Sequence, residues 1–219
     1  MIRLMLVDDH ASSREPMAFM LEQEPDLAVV SQVGSIAEAR DALQDESLLP
    51  DVAIIDLGLP DGAGEELIPV FRAASANTGI LVLTYFSDPA RLAPAIQAGA
   101  SGILHKSAPV DEVITAVRRI HAGEQLLTFE QVYEALRLVN RDDSSESLEH
   151  RPLEPLTSRE IEVLQALADG LSDREIAERY HVGVATVRTH LTNILAKLDA
   201  RSRLQALVHA VRQGIVSID

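Results

Sequence analysis

Short apolar runs alternate with longer mixed stretches along the first half of the chain. Ile2–Val7, Leu27–Val33, Val52–Ile55, Gly79–Thr84 and Gly102–Leu104 are too short for helices and apolar enough for strands covered on both faces. Stretches with helical signals lie between and after them. These are Ser12–Glu24, Ser35–Gln44, Glu65–Ala74, the segment from Asp88-Pro89 to Gly99, and Val110–His121. Ser35 with Glu38 reads as a capping box, and Asp88 before Pro89 as an N-cap with proline in the first turn. Pro16 fits only the first turn of its helix, and Pro94 predicts a bend. This alternation predicts an α/β fold, a doubly wound five-stranded parallel sheet over residues 1–121.

The pattern changes after residue 121. A helix is predicted over Phe129–Val139, and Arg141–Pro155 is polar, acidic and proline-containing, as linkers are. Residues 155–219 then read as an all-α domain. Thr157–Glu160 and Ser172–Glu175 are capping boxes, Gly170 and Gly183 follow the first two helices, Val184–Leu198 is a third, and Ser202 caps a fourth that Gly214 ends. Two short helices joined by the tight Tyr180–Gly183 turn predict a helix-turn-helix. The organisation is therefore a domain over 1–121, a partly helical linker over 122–154, and a second domain over 155–219.

Charge divides the chain in the same region. Residues 1–150 hold 10 Lys/Arg and 25 Asp/Glu, whereas 151–219 hold 9 of each, so the net charge of -15 lies in the first part. An acidic domain avoids polyphosphate surfaces, while a neutral one has room for a local basic face. The chain is 47% hydrophobic and has no Cys, which supplies apolar cores and excludes disulfides and thiolate metal sites. No secretory leader or membrane span is read, so the expectation is a cytoplasmic protein with no membrane partner.

The candidate chemistry sits at strand ends. Asp8 and Asp9 follow the first strand, Asp56 the third, Thr84 ends the fourth, and Lys106 lies just past the fifth. In a parallel sheet these ends share one edge, where such folds bind ligands. Three converging carboxylates repel one another unless a cation sits among them. Their hard oxygens suit Mg²⁺, with the Gly58 carbonyl as a further ligand. Thr84 and Lys106 suit the oxygens of a phosphoryl group better than a metal. Asp56 then reads as a nucleophile toward phosphorus, forming an acyl phosphate. Taken singly, Asp56 reads equally as a helix cap, while Lys106 reads more readily as a solvated charge and Thr84 as an ordinary strand residue; the joint pattern carries the argument. Gly58 and Phe86 flank the approach of an attacking water and cannot orient it, which predicts a persistent phosphoaspartate.

A second cluster lies in the C-terminal part. Val184, Val187, Leu191, Ile194, Leu195 and Leu198 recur at helical spacing and face a core. Arg188, Thr189, Thr192 and Asn193 fall on or near the opposite face, and no acid occurs between Glu178 and Asp199. Such a face can enter the major groove of DNA. From charge alone, a solvated face in a protein-interaction bundle is an equal alternative.

The motifs VDDH, IIDLGLPDG, VLT and ILHK make residues 1–121 resemble the receiver domain of bacterial two-component response regulators, a flavodoxin-like fold. Nearly all of 155–214 is similar to the LuxR-type helix-turn-helix domain, and together the two resemble the NarL/FixJ family. The resemblance implies a Mg²⁺ site at Asp8, Asp9 and Asp56, phosphorylation of Asp56 by a histidine kinase, and Thr84 and Lys106 as conformational reporters. It implies contacts from Arg188, Thr189 and Thr192 to double-stranded DNA, a backbone contact from Lys197, and a homodimer through the last helix, with Leu204, Val208 and Val211 as candidates, although some of that helix's apolar residues must pack within their own domain. The expectation is a transcriptional regulator, not an enzyme. Its phosphorylation favours dimers or releases the DNA-binding domain. Two positions depart from the family pattern. Ile103 stands where receivers usually carry Tyr or Phe, and Tyr85 where the residue is usually small. We expect Tyr85 to take over part of the switch. The main rival is a phosphorylation-independent receiver that binds a protein or a small ligand. A phosphohydrolase would want a carboxylate two residues after Asp56, where Gly58 stands.

Overall fold

A computed structural model of the chain describes residues 1–127, 131, 135, 138, 155–200 and 202–217. The strands are β1 (Ile2–Val7), β2 (Leu27–Val33), β3 (Val52–Ile55), β4 (Gly58–Leu59), β5 (Gly62–Ala63), β6 (Gly79–Thr84) and β7 (Gly102–His105). Five of them form a parallel sheet in the order β2-β1-β3-β6-β7. β4 and β5 form a two-stranded antiparallel hairpin that the hydrophobic pattern did not predict. Each strand is only two residues long, so no alternation can show in it.

Helices α1 (Ala11–Glu22), α2 (Ile36–Ala42), α3 (Leu67–Ala74), α4 (Pro89–Ala98) and α5 (Val110–His121) cover the sheet. Met5, Val7, Ala53, Ile55 and Val82 point into one core, with Phe71 of α3 fully buried among them. Leu4, Leu6, Val52, Ile54 and Leu81 point into the other, with Ala18 and Leu21 of α1 and Val113 and Val117 of α5. Alternate residues of one strand thus feed two cores, and the strands read as continuous apolar runs for that reason.

Loop chemistry fixes the helix starts. Asp88 accepts from the Ala90 N–H, Pro89 occupies the first turn, and α4 ends at Gly99 with φ 110°. Ser35 accepts from the Glu38 N–H, but the Glu38 carboxylate takes the N–H of Gly34, at 2.6 Å, so the predicted box closes one residue early. Asp61, from the loop beyond Asp56, accepts from both Ile36 and Ala37 N–H at 2.9 Å each. Those backbone bonds hold its carboxyl below the usual range. Gly64 lets this loop fold tightly, since a Cβ there would lie 1.9 Å from the Asp56 carbonyl oxygen.

The second domain contains α6 (Ser158–Ala168), α7 (Asp173–Arg179), α8 (Val184–Lys197) and α9 (Arg203–Arg212). Both predicted capping boxes close reciprocally, and Ser202 accepts from the Gln205 N–H. The α7–α8 turn passes through His181 at φ 54°. Val163, Leu164, Ile176, Val187, Leu191 and Ile194 form its interior, which is continuous with the core on the α2–α4 side of the sheet. The helix expected over 129–139 lies outside the described residues except at Gln131, Ala135 and Leu138, which are helical, and residues 141–154 of the linker lie outside them altogether. No described helix is long and apolar enough to cross a membrane.

Candidate functional site

Register brings the strand ends level. Val7 lies opposite Ile55, Ile55 opposite Val82, and Thr84 opposite His105. The residues just beyond therefore gather at one edge. Asp56 is 7% exposed and Thr84 is buried. The Lys106 ammonium donates to Asp8 Oδ2 at 2.7 Å and to Asp56 Oδ2 at 2.6 Å. Burial works against both charges of the Asp8–Lys106 pair, but the hydrogen bonds outweigh it. They hold the Asp8 carboxyl below its ordinary range, and those to Asp56 and Asp8 push the Lys106 ammonium above its own.

Asp9 completes the group. One ligand atom each from Asp8, Asp9, His10 and Asp56 lies within 4.8 Å of the others. The sequence reading missed His10, whose Nδ1 is 2.5 Å from an Asp9 carboxylate oxygen. It also missed Arg14, whose guanidinium donates to the Asp8 carbonyl. Neither residue announces itself by spacing, because both act through backbone or neighbouring acids of the same turn. Three hard carboxylates at one point fit a divalent cation of the Mg²⁺ kind.

The positions around the acids are equally specific. A Cβ on Gly58 would lie 3.8 Å from Asp56 Oδ2, so any side chain there would start beside the carboxylate. Thr84 Oγ1 accepts from the Phe86 N–H at 3.2 Å. Tyr85 is 66% exposed, lies edge-on to His105 with ring centroids 5.7 Å apart, and has the Lys106 Nζ 5.6 Å from its ring centre. It lines the cleft that holds Asp56, while Ile103 faces a different cavity beside α4.

The structure also places the predicted groove-reading face, and it is partly covered. Arg188 Nε lies 3.1 Å from Asp173 Oδ2, and its Nη2 donates to the His121 carbonyl at 3.0 Å. Arg203 donates to the Gly123 carbonyl at 2.8 Å and to both oxygens of Asp173. Gly123 sits at φ 92°, and a Cβ there would meet the Asp173 carboxylate at 2.3 Å. The C-terminal turn of α5 thus clasps two arginines through its free carbonyls. Thr192 faces Pro69, Arg72 and Ala98 across a cavity of about 250 Å³, and Thr189 is exposed. Burial, with Arg203 adding like-charge repulsion, pulls the Arg72 guanidinium down to about 10. Asp173 was read only as part of a capping box; its pairing with residues 15 and 30 positions away leaves no local pattern.

Two expectations change. Lys197 does not stand free as a phosphate contact, because its ammonium bonds the buried Glu160 carboxylate at 2.9 Å and ties α8 to the start of α6. Val208 is 1% exposed and packs inside its own domain, so it offers no surface to a second copy. Val211 is half-buried, and the Leu204 side chain lies outside the described ones.

An acidic pocket at one edge of a parallel sheet, and a helix-turn-helix domain held at the far end of α5, define a two-domain protein of α/β and DNA-binding type. Comparison with known proteins agrees with that class. Residues 4–118 match the response regulator receiver domain, and residues 154–210 match the bacterial regulatory proteins of the luxR family. The chain is 36% identical over 218 residues to the transcriptional regulatory protein LiaR of Bacillus subtilis (strain 168), covering 99% of this chain and 100% of that one. It is 33% identical to the transcriptional regulatory protein LnrK of the same organism, covering 98% and 99%. The crystal structure of a LuxR-family two-component response regulator from Aurantimonas sp. SI85-9A1 superposes with a TM-score of 0.53 at 29% identity, covering 66% of this chain and 99% of that one. The chain belongs to the LuxR family of two-component response regulators and is a transcriptional regulator, not an enzyme.

Proposed function

We propose that Asp56 accepts a phosphoryl group from the phosphohistidine of a partner kinase, and that this modification decides whether α8 is free to read double-stranded DNA. The observation that carries the proposal is Lys106, which bonds Asp8 and Asp56 at once and so marks where negative charge converges. An Asp56 oxygen attacks phosphorus, the P–N bond to the kinase imidazole breaks, and the imidazole keeps the electron pair and takes up a proton. Asp8, Asp9, Asp56 and the Gly58 carbonyl would hold a divalent cation such as Mg²⁺, which supplies charge neutralisation on the transferring group. Lys106 moves its bond from the Asp56 oxygen to a phosphoryl oxygen, and the Thr84 hydroxyl donates to another. Tyr85 narrows the entrance.

The readout lies across the domain contact. With Arg188 bound to Asp173 and to the end of α5, α8 cannot offer that guanidinium to a base edge. Phosphorylation shifts the chain toward a state in which the two domains part. The freed domains bind DNA as a homodimer through the α9 region, in the cytoplasm, where the kinase's phosphohistidine and the DNA are both present. Intact mass after incubation with Mg²⁺ and a small phosphodonor tests the chemistry. The wild type gains one phosphoryl group and Asp56→Asn gains none. A labelled Asp56→Asn protein would move the nucleophile elsewhere, and an unlabelled wild type would favour the phosphorylation-independent binding module.

A further inference from the structure

The contact between the domains holds a cation with no counter-charge. Arg72, near the end of α3, donates from Nη1 to the Ala76 carbonyl and from Nη2 to the Gly99 carbonyl, at 3.1 Å each. Its Nε–H is buried and reaches no acceptor. Two of the five N–H groups are thus committed, both to neutral carbonyls just past the ends of α3 and α4. Among the described residues no carboxylate pairs with this guanidinium, although the chain carries 34 Asp and Glu. The acid nearest to hand is already taken, since Asp173 serves Arg188 and Arg203. Burial, and after it the like charge of Arg203, draws Arg72 down to about 10, so it is still charged at neutral pH. A buried cation so placed calls for an anion.

Space for one lies beside it. Arg72 lines the cavity of about 250 Å³ that separates α3 and α4 from α8. Pro69, Ala98, Leu195 and Ala200 give it apolar walls. Thr192 adds a hydroxyl, but that hydroxyl already donates to the Arg188 carbonyl at 3.0 Å. Arg72 is therefore the donor an anion would find. One cation among apolar walls suits a single negative charge on an apolar body. A phosphate or a dicarboxylate would bring more charge than one guanidinium meets. The volume falls below the roughly 300–1,000 Å³ of sites for drug-sized ligands, so the body must be small.

We propose that this interdomain cavity binds a small monocarboxylate with an apolar body of about four to six carbons, its carboxylate paired with Arg72 and its body against Pro69, Ala98 and Leu195. The site exists only while the domains are together, because α3 and α4 supply one wall and α8 the other. The ligand thus binds the docked state alone and stabilises it by mass action. With α8 held in place, affinity for DNA falls. That last step rests on the docked state being the one that cannot read DNA, as proposed above.

The test uses the full, unphosphorylated chain and 3-methylbutanoate as the probe, followed by isothermal titration calorimetry. The wild type should bind it. Arg72→Gln removes the charge, while Ala98→Leu and Thr192→Leu fill the cavity from α4 and from α8 and keep Arg72. Each should weaken binding by about tenfold or more. Should Arg72→Gln fail to fold by circular dichroism, the two filling variants carry the test. The neutral isostere 3-methylbutanamide and inorganic phosphate should both bind at least about tenfold more weakly than the probe. In fluorescence anisotropy, the probe at about ten times its Kd should lower the wild-type affinity for operator DNA about tenfold and leave that of Ala98→Leu unmoved. No binding by the wild type, or undiminished binding by the variants, overturns the site. Phosphate or the amide binding as tightly as the probe overturns the carboxylate assignment. Binding with no change in DNA affinity leaves the site standing and overturns instead the reading that docking withholds α8 from DNA.

Discussion

Gly58 shows how much one missing side chain decides. It follows Asp56 by two residues, and only the Asp56 carboxylate lies within 4 Å of where its Cβ would be. The position is open and lies beside the Asp56 carboxylate, so on the function proposed above a polar group placed there would hold a water in line with a phosphorus. Gly58→Asn should shorten the lifetime of phosphorylated Asp56 by about tenfold or more, measured by the decay of the phosphorylated mass. The wild-type protein, without such a group, should hold the modification well beyond seconds in the absence of a phosphatase. Gly64 is the opposite case: nothing larger fits, and substitution there should disturb the loop that carries Asp56. Sequence shows two glycines in a turn. Only the direction of each absent Cβ separates a catalytic vacancy from a packing requirement.

Among the elements, the join between α6 and α8 is the most informative. Glu160 bonds back to the Thr157 N–H at 2.7 Å and outward to Lys197 at 2.9 Å, with its side chain almost wholly buried. One carboxylate thus caps α6 and pins the far end of α8. Glu160→Gln keeps the size but loses the charge, and should destabilise the C-terminal domain by about 1–3 kcal/mol at pH 7, measured by urea unfolding. Burial opposes the Glu160 charge, yet the Thr157 and Lys197 bonds more than offset it and hold the carboxyl below its ordinary 4.5. A carboxylate whose folded value is depressed stabilises the fold above its ordinary value. That contribution is lost as pH falls through the lower, folded value. The margin of wild type over Glu160→Gln should therefore be full above about 4.5 and close in more acid solution. A constant margin across that window would remove the charge from the account. The capping box at Thr157 was readable because its partners lie three residues apart; the bond to Lys197 spans 37 residues and was not.

For the whole molecule, the governing contact is the clasp of Arg188 and Arg203 by Asp173 and the end of α5. Gly123 allows it, since a larger residue would strain a φ of 92° and strike the Asp173 carboxylate. Gly123→Ala should part the domains without touching the DNA-binding domain itself. The unphosphorylated variant should bind operator DNA about tenfold more tightly than unphosphorylated wild type, a shift of about 1.4 kcal/mol. Unchanged affinity, measured by fluorescence anisotropy, would mean that the clasp does not limit access to α8. The same comparison made with Asp56→Asn should show no further gain on adding phosphodonor.

What could be read along the chain was whatever depends on neighbours in sequence. The five buried strands, the caps at Ser35, Asp88, Thr157, Ser172 and Ser202, and the arrival of Asp8, Asp9, Asp56 and Lys106 at one edge all follow from period, capping and parallel pairing. The two-residue hairpin after Asp56, the roles of His10 and Arg14, and the engagement of Lys197 and Arg188 did not follow. Each is set by groups brought together across long stretches of chain, and a charge or a methyl group carries no mark of its distant partner until packing supplies one. The chain alone determined which residues reach the acidic edge and which helix faces outward. Only folding in three dimensions decided that the outward helix is held against the other domain, because that depends on the fit of two surfaces that neither domain's own pattern describes.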